Sequence, residues 1–354
     1  MTDIDCHSEM SAFHKEEVTL SSAQQKDMRE RRNNGRTRLA NGLDEADHPQ
    51  PREVASQGSY QMRTMVQDPE NDYDIDDGAY FQRDDLQDAT GAPLTPLDAR
   101  QRVCNALKWD GRFKREAEVR SNCVRQEYSA GYHIDVPVYR VVTTVAANGG
   151  ETEHFELASG DDWVNSDARG VTRWFNTKVG ELNQGESDGS QMRRVTKLSK
   201  KFARRSDWKE KTTSGICITK LVVDHFVSSE NRDDLALRST WKAIDTKLQS
   251  STALEHPVNT SNLAEEGDKK LTFFRDCLSG ALKTLDELDK ADVTRKEVRQ
   301  AWDEIFDTEF FSDRPDDDGG DGGSSGDGPK GQGPAISVTT GETARRNDGG
   351  GRFG

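Results

Sequence analysis

Two aspartates, Asp74 and Asp76, interrupt a stretch that otherwise reads as a buried strand, Tyr73-Asp74-Ile75-Asp76-Asp77-Gly78-Ala79-Tyr80-Phe81. A strand repeats its side-chain direction every second residue, so Asp74 and Asp76 share one face while Tyr73, Ile75 and Asp77 share the other. Carboxylates about 7 Å apart on one face repel each other unless a cation lies between them, and burying both without a partner is costly. Hard oxygen ligands of this kind suit Mg²⁺, which takes few carboxylates and keeps sites for water and phosphate oxygens. A third acidic strand follows at His133-Ile134-Asp135-Val136-Pro137. If Asp135 points the same way, three carboxylates can hold two Mg²⁺ ions. A metal pair about 3.5–4 Å apart clamps the attacking and leaving oxygens of a phosphoryl transfer.

The residues upstream fit that chemistry. Gln57-Gly58-Ser59-Tyr60 lies between a polar helix and an apolar segment. Glycine lets a backbone approach a phosphate closely, and the Ser59 hydroxyl and neighbouring N–H groups can donate to its oxygens. A Gly-Ser pair alone is a common loop dipeptide, and an acidic run alone is commonly a solvated turn. Their combination is what points to a triphosphate at Gly58-Ser59 with its α-phosphate over the carboxylates.

Gln57-Gly58-Ser59-Tyr60, Asp72-Tyr73-Asp74-Ile75-Asp76-Asp77-Gly78-Ala79-Tyr80-Phe81 and His133-Ile134-Asp135-Val136-Pro137-Val138-Tyr139 closely resemble the bacterial cGAS/DncV-like nucleotidyltransferases, and within them the DncV-type cyclic GMP–AMP synthases. The resemblance runs from about residue 20 to about 311, with three separated motifs in order. It implies an α+β fold in which a polymerase-β-like lobe packs on a helical lobe. It also implies synthesis of cyclic oligonucleotides that activate anti-phage effectors. By the same resemblance Asp74, Asp76 and Asp135 would be the metal-binding triad, and Gly58 and Ser59 the triphosphate loop, with Gln57 and Tyr60 as flanking nucleotide contacts.

The chain of 354 residues suffices for a bilobal enzyme. Its net charge of −15 argues against a general nucleic-acid coat protein, although local positive charge can still serve a nucleotide enzyme. Five scattered cysteines without a Cys-x-x-Cys read as reduced thiols of a cytoplasmic protein. No apolar run of about 18 residues suggests a membrane span, and the acidic N-terminus does not read as a signal peptide. No His/Cys cluster has metal-ligand spacing, which speaks against activation by long DNA through a zinc-binding insertion like that of animal relatives.

Four regions are expected. Residues 1–20 are polar and loosely held. Residues 21–160 hold a spine helix and the catalytic lobe. The helix is predicted over 21–44, capped by Ser21 or Ser22 and ended by Gly42. Segments 60–67 and 73–82 then read as a hairpin turned at Asp68-Pro69-Glu70-Asn71. Thr95-Pro96 starts a helix through Lys108, and 117–128 with 132–145 form a second antiparallel pair turned at Ala130-Gly131. Residues 161–312 turn helical, in segments near 161–176, 190–208, 213–229, 233–251, 262–288 and 295–311. Within them Leu278, Leu282, Leu285 and Leu288 read as a core stripe. Residues 313–354 are Gly/Asp-rich and expected to be disordered. They end in Gly349-Gly350-Gly351-Arg352-Phe353-Gly354, which resembles the tails that E1/E2-like conjugating proteins of related operons join to targets through the terminal residue, here Gly354.

Arg193, Arg194, Lys197, Lys200, Lys201, Arg204 and Arg205 fall in one predicted helix whose buried stripe is Val195, Leu198 and Phe202. Most of these charges read as a solvated face. Lys201, Arg205 and Arg194 flank the stripe, while Lys200 and Arg204 point away. The family places a phosphate-reaching lysine on such a helix; Lys201 is the candidate, with Lys197 and Lys200 left open. Ser214-Gly215 at the next helix start is an N-cap that also offers an anion site. His133 shares a face with Asp135 and reads as a partly buried strand histidine.

The expected activity is Mg²⁺-dependent, template-independent joining of ATP and GTP, or related triphosphates, into a cyclic di- or trinucleotide. Pyrophosphate would be released and a downstream effector would receive the product. Two other readings share the triad: a transferase acting on RNA or a small molecule, and a non-catalytic nucleotide-binding subunit. The acidic balance and the lack of an aromatic-rich basic channel oppose the first of these. The retention of every carboxylate opposes the second.

Overall fold

The computed structural model describes residues 4–68, 73–109, 111, 116–128, 131–145, 148–182, 190–208 and 210–315. The residues described up to Arg314 belong to one compact unit. The predicted tail with Gly354, most of the turn at Asp68-Pro69-Glu70-Asn71, and Ala130 lie outside the described residues.

The N-terminus departs from expectation. Helix α1 (His7–Phe13) and a π-helical turn (His14–Val18) are well anchored because Met10, Phe13 and Val18 are fully buried. The Phe13 ring lies 4.7 Å from that of Phe306 and 4.9 Å from that of Phe311. Helix α2 (Ser22–Glu45) opens with a capping box in which Ser21 and Gln24 each accept the other's backbone N–H. Gly42 does not end it. A Cβ there would lie 2.0 Å from the Ala106 carbonyl oxygen, so this glycine allows close packing rather than a stop.

Strand β1 (Glu53–Ser56) leads through the short helix α3 (Gly58–Gln61) to strand β2 (Asp74–Gln82). The hairpin predicted for 60–67 and 73–82 is absent: β1, not 60–67, pairs antiparallel with β2. Met62, Thr64 and Val66 are buried in alternation, but among the described residues that segment has no ladder partner. Helix α4 (Pro96–Lys108) starts on the Thr95 cap as expected, with the Thr95 hydroxyl accepting the Asp98 N–H.

Strands β3 (Glu118–Val119), β4 (Val124–Glu127), β5 (His133–Val136), β6 (Val138–Val145), β7 (Glu151–Ser159) and β8 (Asp162–Asn165) complete a sheet of order β3-β4-β5-β2-β6-β7-β8, with β1 on β2. Strand β2 is its hub, running parallel to β5 in its first half and to β6 in its second. The helix predicted near 161–176 begins later, as α5 (Ala168–Leu182); Trp163 and Val164 belong to β8, which pairs with β7.

One face of β2 (Tyr73, Ile75, Ala79, Phe81) packs with Met28, Leu39 and Leu43 of α2 and Val103 and Leu107 of α4. Asp77, 2% exposed on that face, is neutralised by Arg36, whose Nε lies 2.7 Å from Oδ2, and also accepts from the Ser56 hydroxyl at 2.8 Å. The rest of the compact unit is helical: α6 (Gln191–Ala203), α7 (Gly215–His225), α8 (Asp233–Ser250), α9 (Lys269–Glu287) and α10 (Arg295–Phe306), with a small hairpin of β9 (Leu254–Glu255) and β10 (Asn262–Ala264). Leu278, Leu282, Leu285 and Leu288 are core, as the stripe predicted. Among the described residues no helix is long and apolar enough to cross a membrane, and the five cysteines are free thiols.

Candidate active site

The parallel register decides the geometry. Asp74 sits opposite His133 and Asp76 opposite Asp135. Paired positions in a parallel ladder share a face, so the two strands present a square of three carboxylates and one imidazole. His133 Nε2 lies 3.6 Å from Asp74 Oδ1. Ligand atoms of Asp74, His133 and Asp135 all fall within 4.8 Å of one another. The Asp76 carboxyl is pushed up to about 8, first by burial and then by Asp74 and Asp135. A cation among these groups would relieve that repulsion, and the oxygen-rich donor set fits a hard divalent ion.

Asp135 has a partner that the sequence reading missed. Arg125, its cross-strand neighbour on β4, reaches Oδ1 through Nε at 2.8 Å and Oδ2 through Nη2 at 2.7 Å, a fork that fixes the carboxylate plane. Counting outward equally from the turn at residue 130 already sets 125 against 135; that is the signal that was available.

Opposite this face stands the Gly58-Ser59 turn. Gly58 has φ +63°, and a Cβ on it would lie 2.2 Å from Asp76 Oδ2. Both facts demand glycine, and together they seat the turn directly on the carboxylate. The turn is held by the Gln57 N–H donating to the Asp76 carbonyl at 2.9 Å and the Thr64 N–H donating to the Ser59 carbonyl at 2.9 Å. Gln57 itself turns inward: its amide donates to the Tyr139 hydroxyl at 2.9 Å and accepts from that of Tyr80 at 3.0 Å. Those rings stack at 4.4 Å and form a rigid floor. Gln57 therefore braces the site rather than facing a nucleotide. Tyr60 also points elsewhere, with the Arg32 guanidinium 5.4 Å from its ring.

Gly58, Ser59, Thr64, Asp74 and Asp76 line a cavity of about 370 Å³ whose other wall carries Lys200, Arg204 and Gly215. The expectation for the basic helix is thus corrected: Lys200 and Arg204 face this cavity, and Lys201 is not among its lining residues. Helix α6 is central, with Val195, Thr196, Leu198, Ser199 and Phe202 all buried, so it has no single solvated back. The Ser199 hydroxyl, accepting from Trp241 Nε1 at 2.9 Å, marks a second packed face that small polar residues at Thr196 and Ser199 could have revealed. Lys200 is 5% exposed and donates to the Thr64 hydroxyl at 2.9 Å and carbonyl at 3.3 Å. Burial, then Arg204 and Lys197, push its amine down to about 7. Ser214 caps α7 without a side-chain cap bond; its hydroxyl donates to the Cys217 sulfur at 3.2 Å.

A turn seated on paired strand carboxylates, with a buried lysine across the cavity, is the arrangement of a nucleotidyltransferase. Residues 52–139 match the family described as cyclic GMP-AMP synthase DncV-like, nucleotidyltransferase domain. The fold is shared with the Vibrio cholerae DncV cyclic AMP-GMP synthase crystallised with a linear intermediate, at TM-score 0.68 and 16% identity over 86% of this chain and 96% of that one. Escherichia coli DncV in its 3'-deoxy GTP bound form matches at TM-score 0.60 and 19% identity, over 82% and 92% of the two chains. E. coli CdnC with ATP matches at 0.61 and 15%, over 87% and 99%.

Proposed function

We propose that this nucleotidyltransferase is a Mg²⁺-dependent, template-independent synthase of a cyclic di- or trinucleotide, made from ATP and GTP or related triphosphates for an anti-phage effector. The observation that carries the reading is the single cavity joining Asp74 and Asp76 to Ser59, Thr64 and Lys200. Similar folds hold such substrates: a V. cholerae di-nucleotide cyclase mutant was crystallised with ATP and GTP.

Asp74, Asp76 and Asp135 would hold the metal ions, with His133 beside them. When bound, the ions would polarise the phosphate and lower the barrier to in-line attack. Ser59 and the N–H groups of its turn bind triphosphate oxygens. Lys200, already desolvated, adds a charge-assisted contact once a phosphate restores its proton. Arg125 keeps Asp135 in plane. One of the three carboxylates takes the proton of the attacking ribose hydroxyl as pyrophosphate leaves, and equivalent transfers, each releasing pyrophosphate, complete and close the ring.

The test is incubation of purified protein with Mg²⁺ and labelled ATP and GTP, singly and paired, without nucleic acid, followed by mass analysis. A cyclic product is expected, and it should disappear in folded Asp74→Asn and Asp76→Asn variants. Retained turnover in Asp76→Asn, or extension of added RNA in place of a cyclic product, would overturn the reading.

A further inference from the structure

Beside the catalytic cavity lies a larger one of about 700 Å³, within the range of small-molecule sites. None of the three aspartates lines it. Six cations do: Arg29 and Arg32 of α2, Arg63 after α3, and Arg193, Arg194 and Lys197 of α6. Among the described residues no carboxylate does, although the chain carries a net charge of −15. Arg194 is matched by buried Asp233 at 2.6 Å. Arg32 donates to the hydroxyls of Ser56 and Tyr60, Arg193 to the Met62 carbonyl, and Lys197 to the Thr19 hydroxyl.

The electrostatic consequence registers on His14, which lines the same cavity. Its imidazole is pushed down to about 3 by burial and then by Lys197 and Arg194. A further cation is unwelcome there, and an anion is favoured. The cavity is not uniformly polar. Tyr60, Met28, Leu20 and Met65 give it an apolar, partly aromatic wall suited to a planar ring.

We infer that this cavity is a second nucleotide site, which takes a nucleotide carrying at least two phosphate charges, with its ring against Tyr60 and its phosphates among the arginines. Two sources share that chemistry, a free nucleoside triphosphate and a cyclic dinucleotide. The segment after Gly58 and helix α6 form the wall between the two cavities. Ser59, Thr64 and Lys200 face one, and Tyr60, Arg63 and Lys197 face the other. An occupant of the second site therefore bears on the loop that seats the substrate triphosphate.

The experiment uses the full chain with Lys200→Ala and Asp76→Asn, which disable the catalytic cavity. Calorimetric titration with α,β-methylene ATP, and separately with cyclic GMP–AMP, is expected to show one remaining site for at least one of them. Adding Arg29→Ala and Arg63→Ala, both at exposed positions, should weaken that binding at least tenfold. Arg29→Gln alone repeats the comparison if the combined variant misfolds. The tighter of the two nucleotides identifies the source. Absence of sub-millimolar binding to the disabled protein, binding indifferent to the arginine changes, or tighter binding of a 20-base-pair RNA duplex would each overturn the inference.

Discussion

At the scale of single residues, Gly58 carries the sharpest constraint. Alanine there would meet a left-handed backbone costing about 1–2 kcal/mol and a carboxylate oxygen 2.2 Å from the new methyl group. Either the turn or Asp76 must shift, and a displacement of about 1 Å near reacting groups can cost about 100-fold in rate. Gly58→Ala is therefore expected to lose at least that much turnover while melting within several degrees of the native chain, as steady-state kinetics and calorimetry would show. Lys200→Ala should lower catalytic efficiency about ten- to hundredfold, the size of a charge-assisted phosphate contact, and more than Lys201→Ala does. Lys200 also predicts a pH dependence. The native amine gives up its proton above about 7, whereas the unfolded chain keeps it to near 10.5. The unfolded state thus binds more protons between those values, so this group's contribution to stability rises with pH across the window and is lost as pH falls towards 7. Denaturant titrations from pH 7 to 9 should show a shallower rise in Lys200→Met. The three aspartates and the Gly-Ser turn could be read from sequence because period two and glycine's freedom act locally. Lys200 and Arg125 could not be read so directly, because their roles depend on which element lies opposite.

Among elements, α2 offers a controlled comparison. Gly35 has nothing within 4 Å of an added Cβ, whereas Gly42 abuts the Ala106 backbone. Gly35→Ala should stabilise the fold by about 0.5–1 kcal/mol through helix propensity. Gly42→Ala should destabilise it by about 1–3 kcal/mol, because overpacking against a backbone outweighs that gain. Urea unfolding of the pair checks both signs, and equal effects would show that the α2–α4 contact does not limit the helix. The same helix shows what sequence conveys. Its start was legible in Ser21 and Gln24, and α4 in Thr95-Pro96, because caps are written within a few residues. Its end was misread, since a glycine needed for packing looks like one needed for termination. β7 and β8 were missed for a related reason. Glu151, Thr152 and Glu153 are exposed and Trp163 only half-buried, so no clean alternation marks those strands. The 1–20 segment looked polar because its anchors Met10, Phe13 and Val18 are few and bury against residues distant in the chain.

For the whole molecule, the consequential feature is that the acidic face straddles a parallel seam between β2 and β5. Parallel neighbours cannot be closed by a tight turn; the chain must cross over, here by way of α4, before β5 can dock. Pairing along that seam sets Asp135 opposite Asp76 and close to Asp74, so electrostatic repulsion opposes the backbone hydrogen bonds there. The seam should then be the first part of the central sheet to open in the native state, a local fluctuation well below global unfolding in free energy. Amide hydrogen exchange would reveal it. Ile75 and Ile134 are expected to exchange faster than Val138 and Phe81, which lie where β2 pairs with β6, and millimolar Mg²⁺ should slow the first pair selectively. Uniform protection along β2, indifferent to the cation, would mean that Arg125 alone suffices to hold the strands together. If the expectation holds, the carboxylates act as a latch on folding as well as on chemistry, and the catalytic sheet becomes fully closed only when its cation is present.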